Sequence, residues 1–323
     1  MKDQVLFNDW HAVLTSADLG DTPVAIELMG ERVVVFRTQY GVHAFKDLCV
    51  HRGAALSLGR IRENTLVCPY HGWRFSVDGR CVEIPAQPKN RPIPTKACVT
   101  KFACREKMGL IWVNMGNPGQ DIPEYEEFND PDYQTVTCGP YHVNASAPRV
   151  VENFLDVAHL MWVHEGLLGV PEYAEVADHE VHYRDGKWVS DEITVYQPPI
   201  NPQDTPTHSY YIYEILRPLA VRLKRVNTEK NAKYSIFLYA MPVTEKQTTA
   251  FMLYSANQDY WIQPEEVRRF QDRIVAQDVP VVESQRPEEL PLDLQMELHL
   301  KSDKLSITYR KWLSQLGVTL GTS

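Results

Sequence analysis

The segments Cys49-Val50-His51 and Cys68-Pro69-Tyr70-His71 each place one sulfur and one nitrogen ligand in a short loop. Two sulfurs and two nitrogens suit a tetrahedral zinc ion, but common zinc modules group cysteine with cysteine and histidine with histidine. The interleaved order fits a two-iron cluster held between two loops, with the cysteines on one iron and the histidines on the other. Neutral imidazoles in place of two thiolates reduce the negative charge on such a cluster and raise its potential. Electrons from a ferredoxin-type donor then run downhill into it.

A second set of polar residues lies in ENFLDVAHLMWVHEG, where Asn153, Asp156 and His159 recur every three residues and His164 follows five later. They are embedded among Leu155, Val157, Ala158, Leu160 and Met161. Polar groups in such surroundings need partners, and a metal ion is one. The run reads as a helix carrying Asn153, Asp156 and His159 on roughly one face. A step of five residues turns about 140°, so the helix is expected to loosen near His164, as Gly166 suggests.

A third ligand follows from the same reasoning. Phe270, Ile274, Asp278 and Val282 recur every four residues, which sets an acid in the apolar stripe of a helix. A buried carboxylate must meet a cation, and Pro280 just beyond it is expected to free or kink the local backbone. His159, His164 and Asp278 make a 2-His-1-carboxylate set, which leaves coordination positions open for oxygen. Asp272 and Glu283 are the alternative carboxylates.

Separate elements must hold these two sets. From about residue 24 to 115 the text is strand-rich: VAIELMG and ERVVVFRT flank a turn, and GLIWVNMG is bounded by glycines. The expected division is 1–116 for this antiparallel domain, 117–133 for a proline- and acid-rich linker, and 134–323 for a second domain. The second domain is expected to open with the helix around Asn153. Strand pairs such as YSIFLYAMPV and TTAFMLYSA follow, then the helices PEEVRRFQDRIVAQD and SDKLSITYRKWLSQLG, the last stopped by Gly317.

Composition narrows the function. A hydrophobic fraction of 44% and a charged fraction of 23% describe a packed chain. The net charge of -9 argues against non-specific nucleic-acid binding, which needs a basic surface. No stretch approaches the roughly 18 apolar residues of a membrane span, and the N-terminus offers no signal-peptide core. A cytoplasmic location is expected, where paired Cys and His indicate metal chemistry ahead of disulfides. Cys81, Cys98, Cys104 and Cys138 are scattered and read as buried free thiols.

CVH with CPYHGW resembles the Rieske proteins. Respiratory members carry an additional cysteine in each loop, where this chain has Ala54 and Tyr70, and a cluster-bonding serine where it has Trp73. These departures imply a lower potential, suited to an oxygenase. The two sets in this order resemble the oxygenase (alpha) component of the Rieske non-heme iron oxygenases over nearly the whole chain. The overall pattern is similar to vanillate and dicamba O-demethylases, toluenesulfonate methyl-monooxygenase and the saxitoxin-pathway hydroxylases.

The resemblance implies an α+β chain, with an all-β Rieske [2Fe-2S] domain followed by a helix-grip domain in which an antiparallel sheet curves around a long helix. It assigns Cys49, His51, Cys68 and His71 to the cluster and His159, His164 and Asp278 to a mononuclear Fe(II). It also places Asn153 near that iron. Asp156 would bridge a cluster histidine, His71, to His159 across the subunits of a homotrimer. NAD(P)H and flavin would act through a separate reductase or ferredoxin, since the chain lacks a glycine-rich dinucleotide fingerprint.

The implied reaction uses O2 to hydroxylate a C–H bond, or to remove an O- or N-methyl group, on a small aromatic or alkaloid. A cis-dihydroxylating dioxygenase and a Rieske electron carrier without oxygenase activity are the alternatives. Arg149, Arg217, Arg222 and Arg225 are available either for an anionic substrate or as surface charge.

Overall fold

The computed structural model describes residues 3–198, 207–227 and 232–323. It divides into two compact units, one ending at Ile122 and one running from Pro123 to Ser323.

In the first unit, a single-turn helix α1 (Gln4–Phe7) precedes ten strands. They are β1 (His11–Thr15), β2 (Val24–Leu28), β3 (Glu31–Thr38), β4 (Gly41–Lys46), β5 (Arg60–Arg62), β6 (Thr65–Val67), β7 (Arg74–Phe75), β8 (Cys81–Glu83), β9 (Lys101–Lys107) and β10 (Leu110–Asn114). A six-stranded antiparallel sheet runs β1-β10-β9-β4-β3-β2, and a four-stranded one runs β5-β6-β7-β8. The run Val33–Phe36 is buried without alternation, which requires cover on both faces. One apolar cluster explains part of it: Val34, Phe36 and Phe45 of the large sheet pack with Leu66 and Phe75 of the small one. Cys49 and Cys68 belong to the same cluster.

The second unit opens on a strand, β11 (Tyr133–Val143), and not on the expected helix. The helix α2 (Ala147–Leu155) follows. Part of the stretch read as linker is also built in: Tyr125 is buried, and its hydroxyl donates to the Ser235 carbonyl at 3.0 Å. Next come β12 (Val181–Arg184), β13 (Lys187–Ser190), β14 (Ile193–Gln197), β15 (Thr207–Arg217), β16 (Ala220–Asn227), β17 (Ala232–Thr244) and β18 (Gln247–Asn257). They form an antiparallel sheet ordered β11-β18-β17-β16-β15-β13-β12, with β14 paired to β15.

Two helices complete the unit, α3 (Pro264–Ser284) and α4 (Lys304–Leu316). Helix α3 is fastened to β11 by Arg268 Nε donating to the Thr137 carbonyl and by the Tyr141 hydroxyl donating to Asp272. This long helix against a sheet is the helix-grip arrangement. It continues through Pro280 to Ser284 without ending. Helix α4 stops where Gly317 turns left-handed at φ 79°, as its sequence predicts.

A buried ion network holds α2 in place. Both Glu152 carboxylate oxygens accept from Arg310 of α4, at 2.6 and 2.7 Å, and Arg149 donates to Glu297 at 2.9 Å. Breaking such a pair leaves an uncompensated buried charge and costs about 3–5 kcal/mol. The network therefore fixes the helix whose C-terminal end leads into Asp156.

All six cysteines are free. Cys81 and Cys138 are buried as expected, whereas Cys98 is exposed and Cys104 half-buried. No helix among the described residues is long and apolar enough to cross a membrane.

Candidate metal centres

The two Cys/His loops of the first unit fold alike. The Cys49 amide donates to the Ala54 carbonyl and the Gly53 amide returns to the Cys49 carbonyl, both at 2.8 Å. In the other loop, the Cys68 amide donates to Trp73 and the Gly72 amide to Cys68, at 2.9 and 3.1 Å. Each turn closes on a glycine in the left-handed region, Gly53 at φ 73° and Gly72 at φ 71°. The loops thus present matched jaws, with buried cysteines inside and histidines toward solvent.

His51 Nδ1 and His71 Nδ1 lie 3.1 Å apart. Trp73 stacks on His51 with ring centroids 4.5 Å apart, and Tyr70 covers His71 at 3.8 Å. Burial pushes the Cys49 thiol up to about 11, so a bare thiolate there is disfavoured and a cation must compensate for it. Among the described residues, the only Cys/His/carboxylate group compact enough for one ion is elsewhere in the chain. Two cysteines from one pair of positions and two histidines from the other, presented by two like loops, fit a two-iron cluster.

That compact group is His159, His164 and Asp278, whose ligand atoms all lie within 4.8 Å of one another. Its local fold differs from the expected helix. Helix α2, capped by Ser146, ends at Leu155, and Asp156 is extended at φ -78° and ψ 126°. Asp156 Oδ1 accepts from the Ala158 amide at 2.8 Å and starts a short 3-10 turn, Ala158–Met161, that carries His159. The break thus comes before His159 and not near His164. Gly169 then folds against this turn so closely that a Cβ there would lie 2.7 Å from Met161 Cα.

Asp278 enters from α3. Its Oδ1 is 3.1 Å from His164 Nε2 and 3.6 Å from His159 Nε2, yet it is buried without a hydrogen bond. His164 is 1% exposed. Burial alone would lower its pKa, but the Asp278 carboxylate close to Nε2 and the Gln277 side chain at Nδ1 outweigh that and raise it. An orphaned carboxylate oxygen facing two imidazole nitrogens is a donor set for a divalent cation. Asp156 Oδ2 stands 3.5 Å from the outer nitrogen of His159, Nδ1. The alternative carboxylates are engaged elsewhere: Asp272 accepts from Tyr141, and Glu283 from the Asn144 amide.

Asn153, His159, His164 and Asp278 all line one cavity of about 310 Å³. The stripe of Phe270, Ile274, Asp278 and Val282 forms its α3 wall. Tyr211, Tyr213, Tyr234 and Tyr254 also line the cavity. No lysine or arginine lines the cavity among the described residues. Arg149 and Arg222 are buried in ion pairs, and Arg225 donates to Ser209. Three amide side chains, Asn153, Gln197 and Gln271, line the cavity, as does Glu266. Gln197 and Gln271 were not foreseen, because an isolated glutamine carries no sequence signal.

Residues 9–103 match the family model described as the Rieske [2Fe-2S] domain, and residues 143–319 that of the vanillate O-demethylase oxygenase C-terminal domain. Methylxanthine N1-demethylase NdmA of Pseudomonas putida is 34% identical over 97% of this chain and 92% of its own length. Methylxanthine N3-demethylase NdmB of the same organism is 31% identical over 96% and 89%. The solved structure of Pseudomonas putida NdmA with caffeine covers 96% of this chain and 91% of its own at 33% identity, with a TM-score of 0.85.

Proposed function

Since the chain belongs to the Rieske non-heme iron oxygenases, as the terminal oxygenase component of a multicomponent monooxygenase, we propose that it demethylates a small, neutral, flat heteroaromatic compound. The observation that carries this reading is the cavity. A carboxylate or sulfonate buried there would need a cation beside it, and the described lining offers none. Aromatic walls with a few amide groups suit an uncharged ring system bearing carbonyl and N-methyl groups, such as a methylxanthine.

Cys49 and Cys68 would hold one iron of the cluster and His51 and His71 the other, while His159, His164 and Asp278 would hold the mononuclear iron. When bound, the cluster supplies electrons and the mononuclear iron supplies oxygen activation. The chain's own residues do the rest. The tyrosine and α3 walls exclude water and align the ring. Gln271 is 5% exposed, and no hydrogen bond involves its side chain among the described residues. Its amide is free to read a substrate carbonyl or ring nitrogen. Asn153 faces the same space at the end of α2.

Asp156 lies behind His159, its Oδ2 3.5 Å from Nδ1, the position for coupling that ring to an electron source. Its partner would be a cluster histidine of a second copy in a homotrimer. The exposed edge of His51 and His71, flanked by Leu48, Val50 and Tyr70, supports such docking. The electron donor would be a separate flavin- and iron-sulfur-containing reductase, or a ferredoxin, and the free thiols fit a reducing cytoplasm.

In balance, the methyl group, O2, two electrons and two protons give a carbinol and water. On nitrogen or oxygen the carbinol breaks its C–N or C–O bond and releases formaldehyde. The test is a single turnover of chemically reduced holoenzyme with neutral N-methylxanthines beside anionic methoxybenzoates. Formaldehyde from the neutral set supports the proposal. Turnover of the anions alone, or a cis-diol product, refutes it.

A further inference from the structure

His164 presents its two ring nitrogens to two consecutive residues of α3. Nε2 faces Asp278 Oδ1 at 3.1 Å, and Nδ1 lies 3.0 Å from Gln277 Oε1. The ring is nearly sealed from water, so solvent does not stand in for either partner. Neighbouring residues of a helix point about 100° apart. Here that angle lets one rigid turn grip a single imidazole from both sides.

The gripped ring has two competing neutral forms. With hydrogen on Nε2 the N–H occupies the side that faces Asp278 and closes that nitrogen to a metal. With hydrogen on Nδ1 it donates to the Gln277 carbonyl oxygen, which only accepts, and the Nε2 lone pair stays open toward Asp278. Gln277 favours the open form. His159 is supported differently, because its Nδ1 faces the Asp156 carboxylate at 3.5 Å. One imidazole therefore backs onto a neutral amide and the other onto an anion.

We propose that Gln277 is a positioning residue for the mononuclear iron: its Oε1 fixes His164 in the tautomer that offers Nε2 to the metal. It does so without placing negative charge behind that ligand. Polarisation by a carboxylate is thus confined to His159, the ring next to Asp156. The proposal rests on the reading of His159, His164 and Asp278 as the iron ligands.

The experiment compares Gln277→Leu, Gln277→Glu and His164→Ala in the full-length, cluster-loaded protein. Fe(II) affinity of the mononuclear site is measured, together with the visible spectrum of Co(II) placed in it. Loss of an outer partner of a ligating histidine weakens metal binding roughly 10- to 100-fold, and Gln277→Leu is expected to do so and to alter the Co(II) bands. Gln277→Glu keeps an acceptor at the same reach and is expected to hold affinity within a few-fold of the parent. An unchanged Rieske absorption in each variant reports intact folding.

If Gln277→Leu binds Fe(II) as the parent does and shows the same Co(II) spectrum while His164→Ala loses the metal, the role of Gln277 is wrong and the ligand set stands. Equal weakening in the Leu and Glu variants also overturns it, because the acceptor would then not matter. If His164→Ala itself retains full affinity, the ligand reading fails and the proposal fails with it.

Discussion

His51 and His71 stand at the tips of two surface loops, whereas His159 and His164 are set in the wall of a cavity. The partners of each pair follow from that difference. The surface pair is held by backbone turns closed on Gly53 and Gly72 and by the rings of Trp73 and Tyr70. Its outer edge faces solvent, as electron exchange with another protein requires. The buried pair is held by side chains that must themselves be satisfied: Asp278 between the rings, Asp156 behind one and Gln277 behind the other. An electron-transfer centre needs contact with the outside, and an oxygen-activating centre needs water kept out.

Removing a ligand from the buried pair has the largest expected consequence. His159→Ala should lose about one iron per chain and turnover by more than 1,000-fold, a ligand lost outright where loss of an outer partner costs only 10–100-fold, with the Rieske absorption intact. Iron and sulfide analysis checks it, and a full iron complement would move the catalytic centre elsewhere. Asp156→Asn should keep both centres and lower turnover by roughly 100-fold, read as slow reoxidation of the reduced cluster with substrate and oxygen present. Parent-like reoxidation would remove Asp156 from the path between the two kinds of site.

Smaller effects sharpen the contrast. Gln271→Leu should raise KM for a neutral substrate about 5- to 30-fold, the value of one buried hydrogen bond of ~1–2 kcal/mol, without loss of iron. An unchanged KM would show that the amide does not meet the substrate. Tyr70→Ala, at an exposed tip, should shift stability by less than about 0.5 kcal/mol and keep the cluster spectrum. A large fall in Tm would mean that the surface site depends on packing as the buried one does.

How legible each region was in the sequence follows the same divide. The Cys/His loops are local: proposed ligands, turn glycines and aromatic cover all fall within a few residues of one another. Asp278 was visible because an acid interrupted a four-residue apolar spacing, and α3 keeps that spacing as the cavity wall. The end of α2 was not visible. Residues 152–161 have ordinary helical composition, and the break arises when the Asp156 carboxylate captures the Ala158 amide. Strand β11 was hidden because Gly139-Pro140 interrupts its alternation at the point where its register with β18 shifts.

The fate of the arginines was equally hidden. Arg149 pairs with Glu297 at a separation of 148 residues, so only the fold shows that it is removed from service as a substrate anchor. Gln277 was overlooked because its partner lies 113 residues away.

Helix α3 carries both the proposed carboxylate ligand and, one or two turns earlier, Phe270, Gln271, Ile274 and Val275 of the cavity wall. For directed evolution this separates two inheritable properties along one rigid rod. Saturation libraries at those upstream positions can redraw the outline of accepted molecules while Gln277 and Asp278 keep their register, so new specificities can arise in this scaffold by a handful of codon changes without rebuilding the chemistry.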